Sequence, residues 1–517
     1  MLNEAGLRDV ARLGIELSAE KDKNRLFEKL LDAAMANTGC DGGTLYLLRE
    51  GKLHFKVMKT LSLSLSRGAQ GEEIDLPPVG LSEKNVCAFA AMRRELVNIP
   101  DVYDSSRFDF SGPLEYDALT RYRTGSMLVV PLEDGEGALI GVLQLINKLD
   151  ARGKIIPFVQ EDEFLLQTLG SMTAVSLANL LYVNEIKAQM FSFVRAFAAA
   201  VDERTPYNGS HTRKVTVYAA LLADEINRRR ARGETEDFFD QARREQLILA
   251  AALHDIGKMV VQRKIMNKPT RLGSALETVR QRFRLLDLCL ERDVLAGRLS
   301  QEEGAHAREA LAADLKLIEE KNLLEYLSAE DVEQVEAVAQ RRYTAPDGTQ
   351  TSLLTDGELR CLQIRQGTLT EEEIEIMRSH VVMTDRILSK VRFSPKYAQA
   401  RRFAAEHHEQ LNGRGYPRGL RGEEIPLESR ILAVVDVFDA LTCTDRPYKK
   451  PVPRPAAFAI LHEKARNGEI EERLVRYLET VLASVGPEEI ARMAQEENWG
   501  PDAFPPAHPL SQGGCIS

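Results

Sequence analysis

His254 and Asp255 sit side by side where an apolar, alanine-rich run, LILAAALHDIGK (residues 247–258), gives way to Gly257 and Lys258. A helix this apolar belongs in a core. An imidazole and a carboxylate at its buried end are costly unless something pairs with them. A divalent first-row cation suits that pair of donors. Alone, the dipeptide says little, because a single histidine is more often a satisfied core residue than a ligand. The chain has nine histidines, however, and His211, His254, His380, His407 and His408 all fall after Val201. His211 follows Tyr207-Asn208-Gly209-Ser210 and opens a helical pattern. His380 lies on a helix begun by the Thr370/Glu373 capping box. His407 and His408 close a helical pattern just before Glu409 and Asn412-Gly413-Arg414-Gly415-Tyr416-Pro417. Asp436 interrupts another apolar helix, ILAVVDVFDAL, where an unpaired carboxylate is again expensive. Together these residues point to cation chemistry in one helical region.

The elements that must hold them show helical spacing of apolar positions over 212–226, 242–254, 370–388, 396–408 and 429–441. Between Leu272 and about Gly367 lies a charged helical block, read as a structural insertion (about 273–366). Ser300/Glu303 and Thr355/Glu358 are capping boxes within it, and Tyr343–Leu353, with Pro346-Asp347-Gly348, reads as a turn or small hairpin. Upstream, the pattern differs. Two helices over about 4–37 precede short β-rich runs at 43–48, 53–58, 95–99, 125–132 and 139–147, with a helix at 82–93. This order predicts an antiparallel sheet with helices against it. From Leu165 to Phe197 the apolar spacing is helical and free of proline, so one continuous helix leaves the first domain and enters the second. Its apolar positions can also seat against a second copy.

The expected fold class is therefore multidomain: an α+β domain joined by a long helix to an all-α domain. The boundaries read as 1–165, a connecting helix at 166–198, a helical domain at 199–485, and a tail at 486–517 that ends in Pro, Gly and Ser. At 44% hydrophobic and 28% charged, with net charge −10, the composition is that of a globular protein without general affinity for nucleic acid or anionic membrane. The six cysteines are scattered with no CxxC pair, as in a reducing compartment. No apolar run reaches the length a bilayer needs, and acidic residues stand where a signal peptide is basic. The expected location is cytoplasmic.

Residues CDGGTLYLL (40–48), VNIPDVYDSSRFD (97–109), GSMLVVPL (125–132) and GVLQLINK (141–148) resemble a GAF domain, a sensory module that often binds small ligands. Asn147, Lys148, Phe158, Asp162 and Glu163 look like the NK…FxxxDE signature of GAF domains that bind cyclic nucleotides. That resemblance implies a cyclic AMP or cyclic GMP effector, with a Lys148–Asp162 pair locking a strand end to the next helix rather than touching ligand.

HDIGK (254–258), HHEQLNGRGYPRGLRGEEIP (407–426), RILAVVDVFDALT (430–442) and DRPYKK (445–450) resemble an HD-GYP domain. This branch of the HD metal-dependent phosphohydrolases is known for hydrolysing cyclic di-GMP. The resemblance implies metal ligands His211, His254, Asp255, His380, His407, His408 and Asp436, with Asp255 bridging two cations. It implies that Lys258 offsets charge growing on the phosphoryl oxygens, that Arg446 and Lys449 meet the second phosphate, and that Tyr416 either stacks on a guanine or pins its loop. Some relatives add a glutamate four residues before the first histidine for a third metal; Tyr207 stands there, so two metals are expected. Imidazoles and carboxylates without thiolate favour Fe or Mn. Two cations about 3.5–4 Å apart suit hydrolysis of a phosphodiester. The implied activity is cleavage of cyclic di-GMP to pGpG and onward to GMP in a homodimer. The alternatives are a non-hydrolytic cyclic di-GMP receptor or a hydrolase of another cyclic dinucleotide.

Overall fold

Alternation along the strands builds the first domain. The computed structural model describes residues 4–20, 22–68, 74–104, 107–111, 117, 122–204, 210–344, 348–443 and 451–495, with side chains from residue 12 onward. They divide into two compact units, Met1–Ala188 and Gln189–Ser517.

In the first unit α1 (Glu4–Ala19) and α2 (Lys23–Thr38) precede β1 (Cys40–Arg49), β2 (Lys52–Thr60), β3 (Leu65–Arg67) and β4 (Val79–Gly80). Then come α3 (Val86–Arg93), β5 (Val97–Ile99), β6 (Met127–Glu133), β7 (Leu139–Leu149) and β8 (Ile155–Ile156). The strands form one sheet in the order β3-β2-β1-β7-β6-β5, with β4 on β2 and β8 on β7. Asp22 caps α2 by accepting from the amides of Asn24 and Arg25, and Gly39 ends it in the left-handed region at φ 67°. Odd positions of β1, Leu45 and Leu47, join α2's Leu30 and Leu31 in one core. The even-numbered Tyr46 joins Met127, Val129, Val142 and α3's Ala90 and Ala91 in another. The sheet therefore carries a core on each face, as a period of two requires. The strands that sequence reading missed, β3, β4 and β8, are two or three residues long.

Helix α4 (Gln160–Arg204) is unbroken. It corrects one expectation: by length and composition alone this helix is apolar enough to cross a bilayer. Half of its most apolar window is buried inside the protein. Leu165, Leu166, Leu169 and Leu177 fill the first unit's core, and Phe191, Val194 and Ala198 fill the second's.

The second unit is helical: α5 (His211–Ala231), α6 (Gln241–Leu253), the short α7 (Arg263–Met266), α8 (Ala275–Leu295), α9 (Gln301–Leu323) and α10 (Ala329–Gln340). A hairpin of β9 (Arg342–Thr344) and β10 (Gln350–Ser352) follows, then α11 (Asp356–Leu362), α12 (Glu371–Leu388) and α13 (Ala400–Ala405). The chain continues through α14 (Leu427–Thr442), α15 (Arg454–Arg466), α16 (Glu472–Ser484) and α17 (Pro487–Gln495). The main core gathers Leu222, Leu249, Leu432, Phe438 and Leu478 from α5, α6, α14 and α16. Helices α8–α11 and the hairpin have a core of their own, including Val279, Leu311, Ile318, Val335 and Leu362. Arg271 stands at its base, 1% exposed, donating to the carbonyls of Ile364, Leu324 and Lys321.

Two boundaries differ from the sequence reading. The helix expected over 396–408 is a short turn at Pro395–Tyr397 followed by α13 alone, so His407 and His408 sit in the turn beyond it. The tail expected from 486 begins as α17, whose Ile490 and Ala494 are buried in the main core.

Candidate metal centre

Each of the seven residues singled out as ligands comes from an element end, a helix face or, for His407 and His408, the turn beyond α13. Asp240 caps α6 by accepting from the amide of Arg243, and the helix delivers His254 and Asp255 at its far end. There the backbone tightens into a turn at Ile256–Met259 that lies against α12. A Cβ on Gly257 would stand 1.9 Å from the carbonyl oxygen of His380, so only glycine permits this approach. Thr384, fully buried, fixes the contact: its hydroxyl donates to the His254 carbonyl at 2.9 Å and accepts from the Gly257 amide at 3.0 Å. Helix α12 starts at the Thr370/Glu373 capping box and carries His380 on the same side as Thr384. His211 opens α5, and Asp436 lies midway along α14.

The donors converge. His211 Nε2 is 3.1 Å from Asp436 Oδ1 and 3.5 Å from Asp255 Oδ2. His254 Nε2 is 3.3 Å from Asp255 Oδ2, and His380 Nε2 is 3.5 Å from Asp255 Oδ1. Three overlapping groups, His211/His254/Asp436, His254/Asp255/His407 and His380/His407/His408, each bring their donor atoms within 4.8 Å of one another. Lys258 forms an ion pair with Asp255.

The imidazoles are oriented by their other nitrogens. Nδ1 of His254, His380 and His407 lies 2.7, 2.6 and 2.7 Å from the carbonyls of Ala251, Met377 and Ala404. Nδ1 of His211 lies 2.7 Å from Asp439 Oδ2. Donation from Nδ1 leaves the Nε2 lone pair as the free donor. Nε2 of His211, His254, His380 and His407, and Oδ1 of Asp255, are buried without a hydrogen-bond partner. Orphaned donors of this kind are rare in folded proteins and call for an ion or an equivalent group.

Charge within the cluster points the same way. Burial would raise the carboxyls of Asp255 and Asp436, but Lys258 with His254 and His211 holds Asp255, and His211, His254 and His408 hold Asp436, well below the usual carboxylate range. Burial also works against a proton on His211 and His254, yet the carboxylates win, and His254 is pushed up to about 9. Burial keeps His380, His407 and His408 neutral, with His408 down at about 4. Two ionised carboxylates thus draw positive charge into a pocket of neutral imidazoles, a demand that cations meet by displacing protons. The donor set fits divalent metal.

Tyr416 lies over His408, ring centroids 4.9 Å apart. Arg446, Lys449 and Tyr207 lie outside the described residues. Sequence reading missed Asp439 and Thr384. Asp439 is one helical turn beyond Asp436 on the same apolar helix, which was a usable signal; Thr384 gave none. It also missed Glu406 and Glu409, which flank the paired histidines. Glu409 accepts from the amides of Arg418 and Leu420 at 2.6 and 2.8 Å, and Glu406 meets the Arg418 guanidinium at 3.0 Å.

In the first unit, Lys148 and Asp162 form the expected ion pair, and Asp162 also accepts from the Val159 amide at 2.7 Å. Asn147, at φ 58°, accepts from the Gly125 amide and donates to the Arg123 carbonyl, both at 2.7 Å. Glu163 accepts from Asn98 at 2.7 Å, and Phe158 is buried in the core. A cavity of about 690 Å³ opens on the other sheet face, lined by Tyr46, Phe55, Met58, Arg67, Met127 and Gln144 among others. None of the five motif residues lines it.

Comparison with known proteins agrees with this geometry. The GAF domain family model matches residues 22–177, and two HD domain models match 208–330 and 357–474. A cyclic di-GMP phosphodiesterase of Thermotoga maritima is 46% identical over 95 residues, 18% of this chain and 25% of that protein. A 3'3'-cGAMP-specific phosphodiesterase of Vibrio cholerae serotype O1 is 26% identical over 276 residues, 53% of this chain and 36% of that protein. The chain thus spans between a quarter and about a third of these curated relatives. Among solved structures, the GAF domain of an Acinetobacter phosphoenolpyruvate-protein phosphotransferase covers 36% of this chain and 99% of its own, at 18% identity and TM-score 0.28. Fold and cluster together define a two-part protein, an α+β GAF domain followed by a largely helical HD domain. Its paired His407-His408 and its Gly415-Tyr416-Pro417 loop are the features by which that second part resembles an HD-GYP domain.

Proposed function

We propose that this chain is a metal-dependent phosphodiesterase that opens cyclic di-GMP to pGpG, and onward to GMP, under the control of its GAF domain. The observation that carries this reading is the set of orphaned, buried donors around Asp255. The names of relatives from Thermotoga maritima and Xanthomonas campestris pv. campestris, both cyclic di-GMP phosphodiesterases, support the substrate. His211, His254, Asp255, His380, His407, His408 and Asp436 would hold two divalent ions, Fe or Mn by the absence of thiolate. Such ions, when bound, supply Lewis acidity and an activated water. The chain's own residues do the rest. Lys258, tied to Asp255, places a positive charge beside the position of the phosphoryl oxygens. Buried walls around the imidazoles keep bulk water away from the donors, and Tyr416 covers the outer side above His408.

The purified chain loaded with Mn²⁺, or with Fe²⁺ under anaerobic conditions, should convert cyclic di-GMP to linear products. His254→Ala with Asp255→Ala should abolish this conversion. Absence of turnover with either metal would leave the receptor reading standing instead. A second substrate, 3'3'-cyclic GMP-AMP, is favoured by the Vibrio cholerae relative, whose match extends over 53% of this chain.

The first-unit cavity supports a small regulatory ligand, and a cyclic nucleotide, AMP or GMP, is the candidate effector; calorimetric titration with both tests it. Phe164, Val175, Tyr182, Ile186, Phe193 and Phe197 of α4 are all exposed. At 100° per residue they fall on one stripe, which supports pairing with a second copy through this helix. Light scattering tests it.

A further inference from the structure

The lip of the HD-type site carries a stack whose two outer layers, Tyr416 and Arg378, are not among the proposed cation ligands. His408 faces His380 at 5.2 Å on its inner side and Tyr416 at 4.9 Å, with the rings inclined by 33°. The guanidinium carbon of Arg378 then stands over the Tyr416 ring, 5.4 Å from its centroid. The order from the cluster toward solvent is imidazole, phenol, guanidinium.

Both outer layers are held in place. The Tyr416 amide donates to the His408 carbonyl at 3.2 Å. A Cβ on the preceding Gly415 would stand 2.2 Å from the Gln410 amide nitrogen, so the loop lies flat against the turn that carries the paired histidines. Glu409 clamps its far side through two amides. Arg378 sits two residues before His380 on α12, so the same helix that sets a cluster histidine sets the guanidinium. Its side chain is 51% exposed, and it pairs with Glu375, 2.9 Å away and 70% exposed. A surface pair of this kind is weak and readily exchanged.

A base reaching the lip therefore meets the guanidinium before the phenol. Arginine presents a planar fork that stacks on aromatic faces and pairs in bidentate fashion with the O6 and N7 of guanine. Adenine carries an amino group where guanine carries O6, so the same fork faces a donor instead of an acceptor. We infer that Arg378, braced on Tyr416, selects guanine in the half of the cyclic dinucleotide that lies against the GYP loop. This inference rests on the cyclic dinucleotide reading above.

The test uses the full chain, wild type and Arg378→Ala and Arg378→Lys. Steady-state kinetics are measured with Mn²⁺ on cyclic di-GMP and cyclic di-AMP, and dissociation constants for both are measured by calorimetry on chelated protein. Arg378→Ala should lower kcat/KM and affinity for cyclic di-GMP by roughly ten- to a hundredfold, mostly through KM, and change the adenine values less than threefold. Arg378→Lys should recover little, since a point charge lacks the fork. Equal losses on guanine and adenine ligands, or no loss on cyclic di-GMP, would overturn the inference while leaving the hydrolase reading intact. Wild-type protein that cleaves bis(p-nitrophenyl) phosphate but neither binds nor cleaves any cyclic dinucleotide would overturn both.

Discussion

Replacing Asp439 with alanine tests the organisation of the cluster without touching a proposed ligand. Asp439 Oδ2 lies 2.7 Å from His211 Nδ1, and the two side chains are only 1% and 4% exposed. A buried, charge-assisted bond of this length fixes both the tautomer and the rotation of the ring, so Nε2 of His211 stays aimed at Asp436 and Asp255. Removing such a partner typically weakens metal binding by about 10–100-fold, which is about 1.4–2.7 kcal/mol at 1.36 kcal/mol per decade. Because metal binds the folded state, the same amount disappears from metal-induced stabilisation at fixed excess metal. At about 2 °C per kcal/mol, the lower end of the range for large domains, the rise in Tm on adding Mn²⁺ shrinks by about 3–5 °C. The assay is calorimetric titration of chelated protein with Mn²⁺, paired with thermal scans with and without the ion. Asp439→Asn, which keeps an acceptor but not the charge, should fall between wild type and alanine. A folded Asp439→Ala protein with Mn²⁺ affinity within twofold of wild type would show that Asp439 does not orient His211.

Thr384→Val is nearly isosteric but leaves the Gly257 amide and the His254 carbonyl without their partner. At about 1–3 kcal/mol per buried unsatisfied group, a loss of about 2–6 kcal/mol is expected in urea unfolding; a change under 0.5 kcal/mol would contradict the role. In the first unit, Lys148→Met strands Asp162, whose side chain is 7% exposed against 17% for the lysine. The expected loss is about 1–3 kcal/mol, below the value for a fully buried pair because the lysine keeps some solvent. Ligand affinity of the cavity should not change, because Lys148 does not line it. Asp331 closes the capping box of α10, and Lys321, then the Ser328 backbone and hydroxyl, hold its carboxyl down at about 2 against an ordinary 3.8. A depressed folded value means the contribution is present above 3.8 and is lost as pH falls toward 2. The wild-type minus Asp331→Asn difference in helix stability, followed by circular dichroism, should therefore shrink across that interval; a constant difference would contradict the assignment.

What could be read from the chain divides by the physics that leaves a mark in it. Apolar periodicity is local, so β1, β2, β6 and β7 and the helices carrying His211, His254, His380 and Asp436 all stood out, as did the boxes at Ser300 and Thr355. The box at Ser328 escaped because aspartate replaces the usual glutamate or glutamine at its third position. The helix expected through His408 ended early for a reason no periodicity records. Glu406, fully buried, turns toward Arg402 and Arg418, and Glu409 reaches across to amides of the loop nine and eleven residues on. These long-range bonds carry the paired histidines off the helix and toward α12. Ligand identity was legible because a buried imidazole or carboxylate in an apolar helix is costly wherever it occurs. Orientation was not, because it is set by partners of two kinds. Backbone carbonyls one turn earlier hold His254, His380 and His407, and carbonyls leave no trace in residue identity. Asp439 holds His211 from 228 positions away, and only the spacing of two aspartates on one helix face hints at it. The donor atoms are thus encoded locally, while the direction in which they point is a property of the packed fold.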